Sequence, residues 1–350
     1  MKFIHISDVH LGAGKDVLRE IGINRYDEIW QTFRKSIETA IRMQPDLVLI
    51  TGDLFHREPL LKELREVNYI LSGLRDSKVV IVAGNHDYIS DSSYYRTFKW
   101  SDNIDMITND KITCIRYDDI KTTVYGMSYH TREIRENIFD NIVPDNDEIN
   151  ILIAHGGDEK HIPMDYKKIL SNGFDYVALG HIHKPDYNTE KKQNIVYPGS
   201  TIAMGFDELG KHGFIVGNVE KDSLDIAFIP VDKREFKEIQ FDISKINDED
   251  ELIEKLNSIY LDENNLYKII LTGKRNFEIN INNLIKFIIK ENIIKIKNET
   301  KLNYDLDYMA NESTLKGIFI NEIINETNKE NYTKQELDKI LEIGLSILNN

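Results

Sequence analysis

Over its first 235 residues the chain alternates short apolar runs with amphipathic segments. The runs cover residues 2–7, 47–51, 79–83, 151–154 and 176–179; they are rich in Val and Ile and flanked by Gly, Asp or Asn, which predicts strands buried on both faces. Between the first two, Ile29, Phe33, Ile37 and Ile41 recur every fourth residue and Pro45 follows, so a helix packed on a sheet is expected there. Residues 60–74 repeat the pattern with Leu60, Leu61, Leu64, Val67, Ile70, Leu71 and Leu74. Strand–helix alternation of this kind implies an α/β layer architecture. Strands at residues 123–126, 195–197, 214–219 and 224–230 follow one another without helices, which predicts a second, more antiparallel sheet.

The polar stretch Val231-Asp232-Lys233-Arg234 reads as a boundary. Beyond it a strand (236–243), a helix (248–261), a strand (267–273), a helix (280–291) and a strand (293–298) form a small α/β unit, and two helices end the chain. The last helix opens with Thr333-Lys334-Gln335-Glu336, a capping box, and carries Leu337, Ile340, Leu341, Gly344, Ile347 and Leu348 on one face. That face suits packing on the preceding helix, at residues 315–327, or docking of a partner. The expected domains are therefore 1–235, 236–303 and 304–350.

Composition narrows the class. With 350 residues, 41% apolar and 29% charged, the chain folds into about two domains. No run approaches the roughly 18 to 20 apolar residues that span a bilayer, and the start lacks a secretion signal, so a cytoplasmic protein with no membrane association is expected. The single cysteine, Cys114, lies in an alternating stretch with Ile112 and Tyr117, which predicts a buried, reduced thiol. The net charge is −15, and residues 236–350 carry 15 basic and 21 acidic groups, so neither half is a basic module. Nonspecific coating of nucleic acid is excluded, and a polyanionic substrate must be held locally.

Chemistry concentrates in five polar clusters, each directly after an apolar strand: Asp8-Val9-His10, Gly52-Asp53, Gly84-Asn85-His86-Asp87, His155-Gly156-Gly157 and Gly180-His181-Ile182-His183. Ligands of open α/β sheets sit beyond the carboxyl ends of strands, so the five can converge on one crevice. Asp, Asn and neutral His without a thiolate suit Mn²⁺, Zn²⁺ or Fe²⁺. In Asp8-x-His10 and His181-x-His183 a period of two would set both side chains on one side of an extended strand end. Seven donors (Asp8, His10, Asp53, Asn85, His155, His181, His183) exceed one tetrahedral shell and suit two ions sharing a carboxylate. His86, next to Asn85, suits a general acid, with Asp87 orienting its ring. His5 is expected to pack within its strand, and His130, His161 and His212 to lie on loops. Tyr88, Tyr94, Tyr95, Phe98 and Trp100 suit local core better than base stacking, and Lys184, Lys211, Arg132 and Arg135 suit either a phosphate-binding rim or solvated surface.

Together these clusters resemble the motifs of the calcineurin-like metallophosphoesterases. Within them, Ile6-Ser7-Asp8-Val9-His10-Leu11-Gly12, Gly52-Asp53-Leu54-Phe55-His56 and Tyr197-Pro198-Gly199-Ser200 resemble the SbcD-type DNA repair nucleases. The tail, with Leu315-Lys316-Gly317-Ile318-Phe319 and Leu341-Glu342-Ile343-Gly344-Leu345, looks more like the YhaO-type branch. The resemblance implies a four-layer α/β/β/α sandwich with a small C-terminal α/β capping unit and terminal helices. It further implies two Mn²⁺ ions, one on Asp8, His10, Asp53 and His183, the other on Asp53, Asn85, His155 and His181, with Asp53 bridging. His56 and His86 would be the noncoordinating histidines that position the phosphate and assist the leaving group. The implied function is a metal-dependent DNA nuclease, an exonuclease in DNA repair, working with an SMC-like ATPase and as a homodimer. A phosphoprotein or small-molecule phosphoesterase with the same centre is the alternative, and a non-enzymatic scaffold the third reading.

Overall fold

A computed structural model describes residues 1–14, 24–144, 147–187, 194–221, 223–303, 306–328 and 332–348. The chain divides into two compact units, Met1–Phe236 and Lys237–Asn350.

The first unit contains eleven strands among its described residues: β1 (Lys2–Ile6), β2 (Leu47–Thr51), β3 (Lys78–Val82), β4 (Ile104–Met106), β5 (Thr113–Tyr117), β6 (Thr122–Gly126), β7 (Ile149–His155), β8 (Tyr176–Gly180), β9 (Ile195–Val196), β10 (Gly213–Glu220) and β11 (Ser223–Pro230). One sheet has the order β11-β10-β1-β2-β3-β4 and the other β5-β6-β7-β8-β9. The faces of the two sheets meet in a core that includes Phe3, Leu49 and Val80 from the first and Val124, Ile151 and Ala178 from the second. The outer face of the first sheet (Ile4, Ile6, Val48, Ile50) is covered by helix α1 (Arg25–Met43) through Ile29, Phe33 and Ile37, and by α2 (Leu61–Leu71) through Leu64, Val67 and Leu71. The outer face of the second (Leu152, Ala154, Val177) packs on Ile169 of α3 (Tyr166–Ser171) and on Phe174. This is the four-layer α/β/β/α sandwich that the resemblance implied, with the α/β layering that the strand–helix pattern predicts. Fully buried Phe33 illustrates what holds α1: truncation to Ala removes roughly 3–5 kcal/mol.

The second sheet departs from expectation. Its pairs β6·β7, β7·β8 and β8·β9 are parallel and only β5·β6 is antiparallel. The expected antiparallel strands β10 and β11 instead extend the first sheet, with β10 antiparallel to β1. Cys114 also differs from expectation, since it is exposed. On β5 the alternation buries Tyr117 and exposes Cys114 and Arg116, so the buried phase is offset by one residue.

In the second unit a three-stranded sheet of Phe236–Asp242, Leu266–Thr272 and Ile293–Asn298 packs with helices Glu249–Ser258 and Ile281–Phe287 around Leu252, Leu256, Ile269, Leu271 and Leu284. The expected capping box forms: Thr333 N donates to Glu336 Oε2 at 2.8 Å, and Glu336 N to Thr333 Oγ1 at 3.3 Å. The helix it opens, Lys334–Leu348, packs Leu341 and Leu345 against Ile320 and Ile323 of helix Leu315–Asn328. Ile340 and Ile347, expected on the packed face, are exposed.

Candidate metal centre

The five polar clusters follow β1, β2, β3, β7 and β8, and the turns after these strands aim their side chains at one place. Extended backbone is not what aligns the two paired motifs. Asp8 (φ 49°), His10 (φ 52°), Asp53 (φ 48°) and His181 (φ 92°) all lie in the left-handed region, where a non-glycine residue carries strain of about 1–3 kcal/mol. The convergence is tight enough that a Cβ at Gly84 would collide with the Asp53 carboxylate, which is why the turn after β3 requires glycine there.

The seven expected ligands meet as two half-sites around Asp53. In the first, His10 Nε2 lies 3.7 Å from Asp53 Oδ2, 4.0 Å from Asp8 Oδ1 and 3.0 Å from His183 Nε2, and His183 Nε2 lies 3.7 Å from Asp8 Oδ1. In the second, His155 Nε2 lies 3.5 Å from Asp53 Oδ2 and 3.0 Å from Asn85 Oδ1, and His181 Nδ1 lies 3.2 Å from the same Asn85 oxygen. Asp8 with His10 and His183, and Asp8 with Asp53 and His155, are groups able to hold a metal ion. Asp8 and Asp53 are buried carboxylates, and with one amide oxygen and four imidazoles they make a donor set suited to divalent first-row cations.

Each of three imidazoles is fixed through its other ring nitrogen, and the partner identifies the tautomer because an oxygen without hydrogen can only accept. His155 Nδ1 donates to the Thr51 carbonyl (2.8 Å), His183 Nδ1 to Glu208 Oε1 (2.6 Å) and His181 Nε2 to Asp158 Oδ2 (2.7 Å). Held this way, these rings turn a lone pair inward once they are neutral, at His155 Nε2, His183 Nε2 and His181 Nδ1. His183 Nε2 and His10 Nε2, 3.0 Å apart, can share a cation once both are deprotonated.

The local field agrees. Burial opposes charge on Asp53, but the neighbouring His155 and His10 hold its carboxyl far below the usual range. Burial likewise opposes protonation of His155 and His183; the carboxylates of Asp53 and Asp8 for the first, and of Glu208 and Asp8 for the second, outweigh it and push both up to about 9. The crevice therefore attracts positive charge.

His56 and His86 stand beside the first half-site with rings stacked, centroids 4.9 Å apart, and His86 is 5.0 Å from His10. Burial and the nearby His86 push the His56 imidazole down. His86 N donates to Asp53 Oδ1 at 2.9 Å, which ties the turn to the centre. Asp87 does not orient the His86 ring as expected. Its buried carboxylate accepts from Gly84 N (2.8 Å), Phe55 N (3.2 Å) and Tyr95 Oη (2.9 Å), while His86 Nδ1 lies 3.2 Å from the His56 carbonyl oxygen. Asp87 thus braces two turns, and burial followed by the Asp53 charge raises its carboxyl to about 7.

Of the aromatic group, Tyr95 is buried and Phe98 and Trp100 pack on the first core, as expected of core residues, whereas Tyr94 is exposed. His5 is buried between Tyr176 Oη (2.9 Å) and Thr51 Oγ1 (3.0 Å). His130, His161 and His212 lie outside the strands and helices. Two carboxylates escaped sequence reasoning: Glu208 and Asp158, the latter also 2.9 Å from His161 Nδ1. Asp158 comes directly after the His155-Gly156-Gly157 cluster, and Glu208 lies on a loop far along the chain from any of the clusters.

A family model described as calcineurin-like phosphoesterase matches residues 1–185. The chain belongs to the calcineurin-like phosphoesterase family. This phosphoesterase is 31% identical to the DNA double-strand break repair protein Mre11 of Methanocaldococcus jannaschii over 261 residues, 68% of this chain and 69% of that one. It is 26% identical to the uncharacterized metallophosphoesterase YhaO of Bacillus subtilis, over 65% of this chain and 60% of that one. A further relative, Mre11 of Methanococcus maripaludis, is 27% identical over 98% of this chain and 95% of its own length. The phosphoesterase is accordingly a metal-dependent hydrolase, as its motifs implied. Among the described residues, no helix is long and apolar enough to cross a membrane.

Proposed function

We propose that this phosphoesterase is a DNA nuclease, an exonuclease acting in DNA repair, that hydrolyses phosphodiester bonds at a dinuclear centre. The observation that carries the reading is the pair of half-sites sharing Asp53, with two stacked imidazoles beside one of them. Asp8, His10, Asp53 and His183 would hold one ion and Asp53, Asn85, His155 and His181 the other, most economically as Mn²⁺. Bound there, two such ions would neutralise charge building on the phosphate oxygens and lower the pKa of bound water toward neutrality.

The protein's own side chains supply the rest. His86, on an exposed turn anchored by its backbone to Asp53, donates a proton to the leaving oxygen. His56, stacked against it, positions the phosphate. Glu208, Asp158 and the Thr51 carbonyl keep three inward imidazoles in one tautomer and orientation, so the phosphate meets preset donors. Residues 1–235 would form the nuclease domain, 236–303 the capping module and 304–350 the docking segment for an SMC-like ATPase; exposed Ile318, Ile340, Ile343 and Ile347 support the last. Relatives named Mre11, and a Staphylococcus epidermidis relative named as a component of the nuclease SbcCD, support DNA as substrate, and a homodimer is the assembly proposed with it.

The test is incubation of Mn²⁺-loaded protein with end-labelled DNA, a phosphopeptide and bis(p-nitrophenyl) phosphate. Cleavage of DNA with release of mononucleotides is expected. Turnover of the phosphopeptide with intact DNA would replace this reading with the phosphatase alternative. His86→Ala is expected to keep its metal and lose roughly 10²–10⁴-fold in turnover; parallel loss of metal would remove His86 from its assigned role.

A further inference from the structure

Beside the stacked imidazoles opens a cleft of about 520 Å³, lined by His56, Arg57, Glu58, His86, Tyr88 and Arg132. That volume accommodates a group of nucleotide size. Its two guanidiniums are in different states. Arg57 donates to both carboxylate oxygens of Glu63, at 2.7 and 3.0 Å, and to the Glu58 carbonyl at 2.9 Å, so its charge is already compensated. Arg132 is exposed and has no hydrogen bond or ion pair among the described residues. Arg135, three positions along the same loop, is held by Glu133 at 2.7 and 3.2 Å. Glu58 adds a carboxylate to the cleft, where it accepts from Ser90 Oγ at 3.1 Å, and it repels a second anion from its own side.

A chain of net charge −15 gains nothing from long-range attraction to a polyanion, so each phosphate beyond the scissile one needs a local counter-charge. An uncompensated guanidinium is well suited to that task, because its planar fork matches two phosphate oxygens at once. We propose that Arg132 binds the phosphate adjacent to the scissile one, which makes this cleft a subsite for the neighbouring nucleotide of a polynucleotide substrate. The inference rests on the nuclease reading and deepens it. It separates Arg132 from Arg135, which the sequence alone left together as either a phosphate-binding rim or solvated surface.

The experiment measures KM and kcat for Mn²⁺-loaded wild type, Arg132→Ala, Arg132→Lys and Arg135→Ala on a single-stranded 12-mer and on bis(p-nitrophenyl) phosphate, which has no second phosphate. For Arg132→Ala the expected result is an oligonucleotide KM raised by about tenfold or more, a loss at least about tenfold larger on the 12-mer than on the small diester, and a salt slope of binding lower by about one. Arg132→Lys recovers part of the affinity, since it restores the charge without the fork. Arg135→Ala stays at wild-type values on both substrates. Equal losses on the two substrates, or the same oligonucleotide KM for Arg132→Ala and Arg135→Ala, would overturn the subsite. Wild-type hydrolysis of the small diester with the 12-mer left intact would instead overturn the nuclease reading, and the subsite with it.

Discussion

The strand ends of the two units leave the sheet by different means. In Met1–Phe236 the turns after strands use left-handed glycines such as Gly52 and Gly156 but also Asp8, His10, Asp53 and His181, these four with φ between 48° and 92°. In Lys237–Asn350, the left-handed residue among those described is Gly273, the position following the strand Leu266–Thr272, where a Cβ would collide with Asp242 and Ser244. Glycine is the unstrained solution. Retaining Asp and His in that conformation, at about 1–3 kcal/mol each, makes sense only where the side chain itself is required. The histidines follow the same division: all ten precede residue 213. The second unit has a packed core and no imidazole with which to build a centre.

The strongest test of this contrast exchanges one carboxylate in each unit. Asp53→Asn removes the charge shared by both half-sites, which at several kcal/mol of charge stabilisation lowers turnover on the order of 10³-fold and reduces bound metal per chain. Asp242→Asn alters an exposed carboxylate that accepts from Ser244 N at 2.9 Å and Ser244 Oγ at 2.6 Å, and leaves turnover and metal content at wild type. Elemental analysis and steady-state assays read both. Full metal and full turnover in Asp53→Asn would erase the distinction.

A smaller effect follows from the histidines' confinement to one unit. Burial, against a weaker opposing contact with the Leu179 carbonyl, holds His5 at about 3. Its folded-state pKa lies below the unfolded value near 6.5, so the stabilisation it implies is complete above that pH and is lost as pH falls toward 3. From pH 7 to pH 5 the loss is about 2 kcal/mol, at 1.36 kcal/mol per unit below 6.5. Urea titrations of metal-free wild type and His5→Gln at the two pH values should differ by that amount. Identical pH dependence in both proteins would show that the buried ring does not resist protonation.

What the sequence made legible was local. Apolar positions three and four residues apart marked α1 and α2, and five polar clusters directly after strands marked all seven convergent donors, because strand ends deliver side chains to one edge of an α/β layer. What it concealed depended on pairing between distant segments. The assignment of β10 and β11 to the first sheet is fixed by contacts more than 200 residues apart, such as Lys2 opposite Asn218. Glu208 and Asp158 reach His183 and His181 across 25 and 23 residues of chain, with no periodicity to announce them. Cys114 shows the remaining weakness: alternation gives the period of an edge strand but not which phase faces water. The left-handed turns were hidden for a related reason, since two residues at x-spacing read as extended whether or not the backbone reverses beneath them.

The mildest prediction asks whether strain is tolerated outside the centre without a functional return. Gln44 is exposed, lies at the C-terminus of α1 with φ 50° and ψ 62°, and donates its N–H to the Ala40 carbonyl at 3.0 Å. Its side chain is not engaged in the metal centre, so the left-handed conformation serves only to close the helix, a task glycine performs without the Cβ penalty of roughly 1–2 kcal/mol. Glycine also loosens the unfolded chain by about 0.5–1 kcal/mol, which offsets part of the gain. Gln44→Gly should therefore stabilise the protein by about 0.5–1 kcal/mol, a rise in Tm of about 1–4 °C by calorimetry, with turnover unchanged. Asp8→Gly relieves the same torsion (φ 49°) but deletes an inward carboxylate, so any stability it gains is accompanied by loss of bound metal. If Gln44→Gly impaired turnover as Asp8→Gly does, left-handed backbone would be a general requirement of this fold and no longer a marker of its centre.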